Sequence, residues 1–312
     1  MPDIVVMFFL LGLVAGLLKS DLTIPKAAYD TLSLLLMLSI GLKGGLALHD
    51  NLEWNLLLEL AGVATIGVII PLLIFPILRF VCRAEIANSA SLVAHYGSVS
   101  AGTFAVVIAY ASSNNIPLNA ETTLYLVTLE LPAIIVGLLL YRMFSQEKVA
   151  SRQIELWHET LTNRGVVLLL GGVIIGYMYG PNSGADVTSL FTSMFKAVLA
   201  LFLLEMGLTA AETLKPIPWD KWRLLLFAAI APFGLSFVGI CIGLALGVPE
   251  GSVLVLASLA ASASYIAAPA AIKTAIPKAD IGLAMLMSLG ITFPINVLVG
   301  IPIYHAVIQQ LS

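Results

Sequence analysis

The chain has 312 residues, of which 60% are hydrophobic and 11% are charged, with a mean hydropathy of +1.02 and a formal net charge of −3. A water-soluble domain cannot cover so much apolar surface, so the composition predicts an all-α protein that crosses a lipid membrane many times. The few Lys and Arg residues argue against nucleic-acid binding, and Cys82 and Cys241 are too far apart to indicate a metal or disulfide framework.

Apolar stretches separated by polar or turn-forming residues predict ten transmembrane helices, the first and sixth of them short. They cover 4–18, 30–48, 55–78, 86–112, 122–141, 165–180, 193–212, 223–247, 252–276 and 281–308. The first stretch lacks a basic leader and a small-residue cleavage site, so we expect it to be retained as a membrane span.

Basic residues are distributed unevenly between the predicted loops. Of the 15 Lys and Arg residues, all but Lys43 and Lys196 fall in loops on one side of the ten-span arrangement. The loops on the other side instead carry acidic residues: Asp50, Glu53, Glu121, Asp186 and Glu250. Because cytoplasmic loops are enriched in Lys and Arg, this pattern predicts a plasma-membrane protein with both termini on the outer side.

The polar segment 145–164 divides the chain into two halves of five spans. We therefore predict a first five-helix repeat at 1–145, a cytoplasmic linker at 146–164 and a second five-helix repeat at 165–312. An odd number of spans in each half requires the halves to insert with opposite topology. Three short matches in the same order support an inverted repeat: Ile40-Gly41-Leu42 with Met206-Gly207-Leu208, Gly97–Ser100 with Ala261–Ser264, and Leu131-Pro132 with Phe293-Pro294.

The fourth and ninth spans contain residues that weaken a helix at mid-membrane depth. Gly97–Thr103 holds two glycines and three hydroxyl side chains, and Ala261–Pro269 holds two serines, a tyrosine and a proline. Where a helix is interrupted within the membrane, its unpaired backbone amides and carbonyls must face protein or a water-filled cavity. Paired interrupted spans in corresponding positions of two halves predict the binding site of a secondary transporter, where the two helices cross.

An interrupted helix offers ligands for both an anion and a cation. Second half-helices that begin near Gly102-Thr103 and near Ile266-Ala267 present unpaired amides and a partial positive charge, which favour a small anion. First half-helices end in free carbonyls, which suit a sodium ion. The candidate substrate-binding residues are Ser98, Val99, Ser100, Ala101, Gly102, Thr103, Ser262, Ala263, Ser264 and Tyr265. The competing explanation is that these small residues only allow close helix packing.

Ionisable residues within spans are further candidates. Glu130 precedes Pro132 and is a candidate sodium ligand together with Ser98, Ser100, Ser262 and Ser264. Lys43 is a candidate charge on the anion path, although its side chain could equally reach the membrane interface. Glu205 and His95 are compatible with either functional or structural roles. The chain contains no HExxH motif, P-loop or nucleotide fingerprint, so we expect neither an enzyme nor an ATP-driven pump, and no cofactor other than a coupling sodium ion.

Taken together, these motifs resemble the sodium-dependent bicarbonate transporter family. The resemblance rests on Ser39–Gly45, Gly97–Ser100 with Thr103, Glu130–Pro132, and Ala261–Ser264 with Pro269, and it extends over nearly the whole chain. It implies a homotrimeric 5+5 inverted-repeat carrier in membrane lipid that binds bicarbonate and Na⁺ and moves them by an elevator-like shift. In some members of the family a PII-like protein blocks transport from the cytoplasmic side.

The chain departs from the cyanobacterial members of this family in three respects. Tyr265 stands where those members carry an acidic residue, Lys43 stands where they carry a neutral polar one, and the linker between the halves is shorter. We therefore expect a sodium-coupled symporter of a small anion, bicarbonate first. The alternatives are a carrier of another small carboxylate, a sodium–proton exchanger and a non-transporting membrane sensor. Exchange is disfavoured, because position 265 holds a tyrosine and not an acidic residue.

Overall fold

The computed structural model describes residues 4–49, 55–130, 132–145, 164–215 and 217–311, and these ranges contain helices and no strand. The first half forms α1 (Ile4–Leu17), α2 (Lys26–Leu48), α3 (Asn55–Pro76), α4 (Ile86–Gly97), α5 (Ala101–Ser113), α6 (Leu124–Glu130) and α7 (Pro132–Phe144). The second half forms α8 (Arg164–Ser183), α9 (Ala185–Thr213), α10 (Trp222–Leu246), α11 (Glu250–Ala260), α12 (Ala267–Ala275) and α13 (Ile281–Leu311).

Several α-helices contain or adjoin short π-helical or 3₁₀-helical segments. A π-helical turn, Ile77–Val81, continues α3, and α13 includes the π-helical segments Leu286–Thr292 and Asn296–Gly300. Short 3₁₀ helices precede α6 and α10, at Ala120–Thr123 and Trp219–Lys221. Residues 146–163 of the predicted linker, and Asp50 and Glu53 of a predicted outer loop, lie outside the described residues.

Within the described ranges, seven helical segments are long and apolar enough to cross a membrane, which supports a multi-pass membrane protein. They are Lys26–Leu48, Leu56–Val81, Ile86–Ser113, Glu121–Phe144, Ala185–Thr213, Trp219–Leu246 and Ile281–Leu311. Shorter apolar helices, Ile4–Leu17, Val167–Ser183 and Glu250–Ala260, fall in the predicted first, sixth and ninth spans. The count of ten spans remains a prediction.

Helix α9 begins at Ala185, eight residues before the predicted seventh span at 193–212. Asp186 and the hydroxyl residues that follow it make this part of the sequence look like a loop. The helix accommodates them in its first turns, where the Thr188 hydroxyl donates to the carbonyl of Gly184 at 2.9 Å.

Four helices pack as two close pairs, each built from one helix of either half. The first helix of each half packs against the second helix of the other, so that α1 contacts α9 and α8 contacts α2. Glycines line both contacts: a Cβ on Gly12 or Gly207 would collide with the backbone of the partner helix. A Cβ on Gly176 of α8 would lie 2.6 Å from the carbonyl oxygen of Leu42 in α2. Backbones can approach this closely only where there are no side chains.

Since α9 also packs against α2, these four helices form one unit, which we call group A (α1, α2, α8, α9). The remaining helices form group B (α3–α7 and α10–α13). Its main contacts are those of α10 with α11, α4 with α7, and α3 with α4, α6 and α7. The two interrupted segments belong to group B, one edge of which faces group A.

The glycine contacts predict a sharp difference between two residues of one helix. Gly176→Ala should destabilise the protein by about 1–3 kcal/mol, because the added methyl group overpacks the α2–α8 contact. Gly171→Ala is the matched control: among the described residues, and leaving aside the backbone of its own helix and its chain neighbours, no atom lies within 4 Å of its Cβ position, so removing a helix glycine should be neutral or stabilising there. Thermal unfolding in detergent would measure both, and equal effects would contradict the close contact.

Candidate functional site

The first interruption separates α4 from α5. Helix α4 ends at Gly97, Ser98 and Ser100 have extended backbone angles, and α5 begins at Ala101. The Ser100 hydroxyl oxygen accepts a hydrogen bond from the Thr103 amide at 3.0 Å and so caps α5. The second half-helix thus starts close to the predicted position.

The second interruption, between α11 and α12, has a related design. Helix α11 ends at Ala260, and α12 begins at Ala267, where the sequence predicted the second half-helix to start. The Ser264 hydroxyl oxygen accepts from the amide of Ala268 at 3.2 Å. The second serine of each predicted serine pair therefore binds an amide in the first turn of the helix that follows it.

The two interruptions hydrogen-bond to each other. The Ser100 amide donates to the Ser262 hydroxyl oxygen at 3.0 Å, and the Ser264 amide donates to the His95 carbonyl at 2.7 Å. Ser262 in turn donates its hydroxyl to the Leu259 carbonyl at 2.8 Å. Each half of the chain thus satisfies buried backbone groups of the other, at a depth where lipid could not.

A small cavity of about 40 Å³ lies beside this junction. Six of its lining residues were predicted from the sequence: Val99, Ser100, Ala101, Glu130, Ser264 and Tyr265. Ile266 and Ala267, next to the predicted residues, complete the group B wall together with Leu126 and Val127 of α6. The remaining lining residues come from group A, so the cavity lies between the two helix groups.

The sequence did not reveal the residues that group A contributes. They are Ser33, Leu34 and Met37 of α2, Leu169 of α8 and Phe202 of α9. Of these residues, only Ser33 could have been suspected from the sequence, because it is a hydroxyl residue within an apolar span; it is buried in the structure. The apolar residues are indistinguishable in sequence from those that pack in the core.

Other predicted residues surround the junction without lining the cavity: Ser98, Gly102, Thr103, Ser262 and Ala263. The Ser98 hydroxyl donates to the Glu130 carbonyl at 3.0 Å and so ties the first interruption to the end of α6. A hydroxyl that donates its proton to protein retains lone pairs for a cation. The hydroxyls of Ser98 and Ser262 both have this arrangement.

Unpaired polar atoms are concentrated around the interruptions. Among the described residues, seven buried side-chain polar atoms lack a hydrogen-bond partner, and four of them belong to Ser91, His95, Thr103 and Tyr265. Buried polar atoms are normally paired, so such a concentration indicates a place that water or a ligand completes. His95 binds the Ser91 carbonyl through Nδ1 at 2.8 Å, which leaves its Nε2 as the unpaired atom.

Two other ionisable residues lie away from the small cavity. Lys43 has its ammonium nitrogen 4.3 Å from the ring centroid of Phe195 and lines a separate, larger cavity of about 870 Å³. Glu59 and Glu121 line the same cavity, which lies towards the predicted outer end of the bundle. Glu205 accepts a hydrogen bond from the hydroxyl of Thr209 at 3.4 Å and lines neither cavity.

The ligand types around the junction suit an alkali cation better than a transition metal. In the part of the chain that the structure describes, no group of three or more His, Cys, Asp or Glu side chains is placed to hold a metal ion. Hydroxyl oxygens and the carbonyls at the ends of broken helices are instead the groups with which transporters coordinate sodium.

An apolar helical bundle with two interrupted helices that meet beside a small cavity is an arrangement that secondary transporters use. The sequence identifies the family. Residues 4–309 match the model of the Na⁺-dependent bicarbonate transporter superfamily, and the chain belongs to that family. No curated protein matches the chain.

The contact between the interruptions predicts unequal roles for two buried serines of one segment. Ser262→Ala should cost about 1–3 kcal/mol of stability, because the buried Ser100 amide loses its acceptor. Ser258→Ala is the control, since the Ser258 hydroxyl only donates to the Leu254 carbonyl of its own helix, at 2.8 Å, and its loss should cost less. Unfolding temperatures in detergent would distinguish them, and equal losses would contradict the assigned role of Ser262.

Proposed function

We propose that the chain is a sodium-coupled symporter of a small anion, bicarbonate, which binds where the two interruptions meet. The observation that carries this proposal is the position of the cavity. Both interruptions contribute to its wall, and the opposite wall comes from group A. Membership of the Na⁺-dependent bicarbonate transporter superfamily supports the choice of both ions.

The start of α5 supplies the anion side of the proposed site. The Ser100 hydroxyl accepts from the Thr103 amide, and the Ser100 carbonyl accepts from the Phe104 amide at 2.9 Å. Neither bond uses the amides of Ala101 and Gly102, which come earlier in the first turn. Such amides and the helix dipole favour negative charge. The proposed substrate-binding residues are those predicted from the sequence, Ser98–Thr103 and Ser262–Tyr265.

The cation side of the proposed site uses oxygen atoms. We assign sodium to the hydroxyls of Ser98, Ser100, Ser262 and Ser264, with Glu130, which lines the cavity, as the acidic ligand. A cation bound next to an anion lowers the cost of burying either charge. This mutual dependence is the physical basis for coupled transport of the two ions.

Family membership favours a very small anion. Bicarbonate has four heavy atoms and is planar, whereas most organic carboxylates are larger. Tyr265 in the cavity wall, where cyanobacterial members of the family carry an acid, is the observation that keeps another small carboxylate as the second candidate.

The helix pairs support an inverted repeat and alternating access. In α1–α9 and α2–α8, the first helix of either half packs against the second helix of the other, as a two-fold relation between the halves requires. We propose that group B carries the site past group A in an elevator-like movement. A homotrimer and a PII-like regulator are further proposals from the resemblance; most of the linker where a regulator would dock lies outside the described residues.

Transport of labelled bicarbonate into proteoliposomes tests the proposal. An inward sodium gradient should drive accumulation above the level reached with potassium in its place. The absence of flux, in vesicles in which the protein is shown to be folded and correctly oriented, would contradict bicarbonate symport. Thermal stabilisation by formate or acetate with sodium would then favour the second candidate.

A double substitution tests the location of the site. Replacing both Ser98 and Ser262 with alanine should abolish sodium-dependent uptake, because it removes a proposed ligand from each half. Ser258→Ala, which alters a buried serine of α11 away from the cavity, should preserve uptake. Uptake by the double variant equal to that of the wild type would refute the assignment.

A further inference from the structure

We infer that the hydroxyl of Tyr265 donates a hydrogen bond to an oxygen atom of the bound anion. This inference rests on the proposed function and assigns one residue a specific role within it. Three features of the structure carry it: an unpaired hydroxyl, its place at the start of α5, and a ring that is held in position.

The Tyr265 hydroxyl is buried without a protein partner. The residue is only 6% exposed, it lines the small cavity, and its hydroxyl makes no hydrogen bond of normal geometry. The Ser100 side chain and the Gly102 amide face the phenolic oxygen as donors, although neither forms a hydrogen bond of normal geometry with it, so the phenolic proton has no acceptor in the protein. An unpaired buried hydroxyl is costly, so its retention indicates a partner that binds from the cavity.

The position of the hydroxyl depends on the absence of a side chain at Gly102. A Cβ at that residue would collide with the Tyr265 hydroxyl oxygen. The phenol therefore reaches the first turn of α5, where the helix dipole attracts an anion.

Phe293 holds the tyrosine ring from the other side. The two rings pack edge to face, with centroids 5.8 Å apart and an interplanar angle of 80°. Because the ring is packed in this way, the hydroxyl is held in place before the ligand arrives. Preorganised donors lose little entropy on binding.

These features favour a donor over a plug that merely fills the site. A phenol that closed the helix start would satisfy its own hydroxyl there, whereas this hydroxyl lacks a well-formed bond. A phenolic O–H suits a carboxylate or bicarbonate oxygen.

Binding of sodium bicarbonate to two tyrosine variants tests the inference. Tyr265→Phe keeps the ring and removes only the donor, so bicarbonate affinity in sodium should fall roughly ten- to a hundredfold. Tyr96→Phe is the matched control, because the Tyr96 hydroxyl is equally buried but bonds to the Thr292 hydroxyl at 2.7 Å. That variant should retain affinity and lose stability.

The ligand-free unfolding temperature gives a readout that is independent of transport. Tyr265→Phe should leave it unchanged or raise it, since no protein hydrogen bond is lost, whereas Tyr96→Phe should lower it. If wild type binds bicarbonate and Tyr265→Phe binds it equally well, the inference fails and the proposed function stands. If wild type itself shows no sodium-dependent binding, both fail. A larger loss of stability in Tyr265→Phe than in Tyr96→Phe would show that the hydroxyl is already paired, which also overturns the inference.

A substitution at Gly102 tests the geometry. Gly102→Ala should lower the unfolding temperature of the wild type, because the new methyl group displaces the Tyr265 hydroxyl. In the Tyr265→Phe background the nearest remaining atom to that methyl is Cε2 of Phe293, at 3.1 Å, so the same change should cost much less. Equal costs in both backgrounds would contradict the proposed contact.

Discussion

Two hydrogen bonds between the interrupted segments are the constraint on which the rest of this structure depends. The Ser100 amide binds Ser262, and the Ser264 amide binds the carbonyl of His95. Neither segment could stay unwound in a membrane alone, because its buried amides would have no partner. Each interruption is therefore possible only because the other lies against it. The same opening leaves two helix starts beside one cavity, so in the proposed mechanism the stability of the breaks and the chemistry of the site have one cause.

The packing around this junction gives it one side of closely fitted helices, group A, and one side that carries most of the polar residues, group B. Glycines bring α1 against α9 and α2 against α8 so tightly that their backbones nearly touch. Group A can thus form a rigid wall, and it presents mostly apolar residues such as Met37 and Phe202 to the cavity. Apart from Ser33, the polar residues that line the cavity lie on group B. In the proposed mechanism, this division lets the ligands travel with group B while group A offers them little that would bind them.

The sequence revealed the interruptions because they break a strong local rule. Glycines and hydroxyls in the middle of an apolar stretch contradict a continuous helix, and the observed starts of α5 and α12 lie close to the predicted ones. The start of α9 was missed since Asp186 and its hydroxyl neighbours looked like a loop. The group A wall of the cavity was also missed, because Leu34 and Leu169 lie there only through the tertiary packing. The roles of individual hydroxyls depend on partners that are distant in sequence, such as Glu130 for Ser98.

Amide hydrogen exchange, with and without ligand, tests the central claim most directly. If the two interruptions jointly form the site, sodium and bicarbonate together should slow exchange in 97–103 and 261–268 at once. Either ion alone should protect both segments less. Protection confined to one segment, or located instead at the larger cavity around Lys43, would contradict the account.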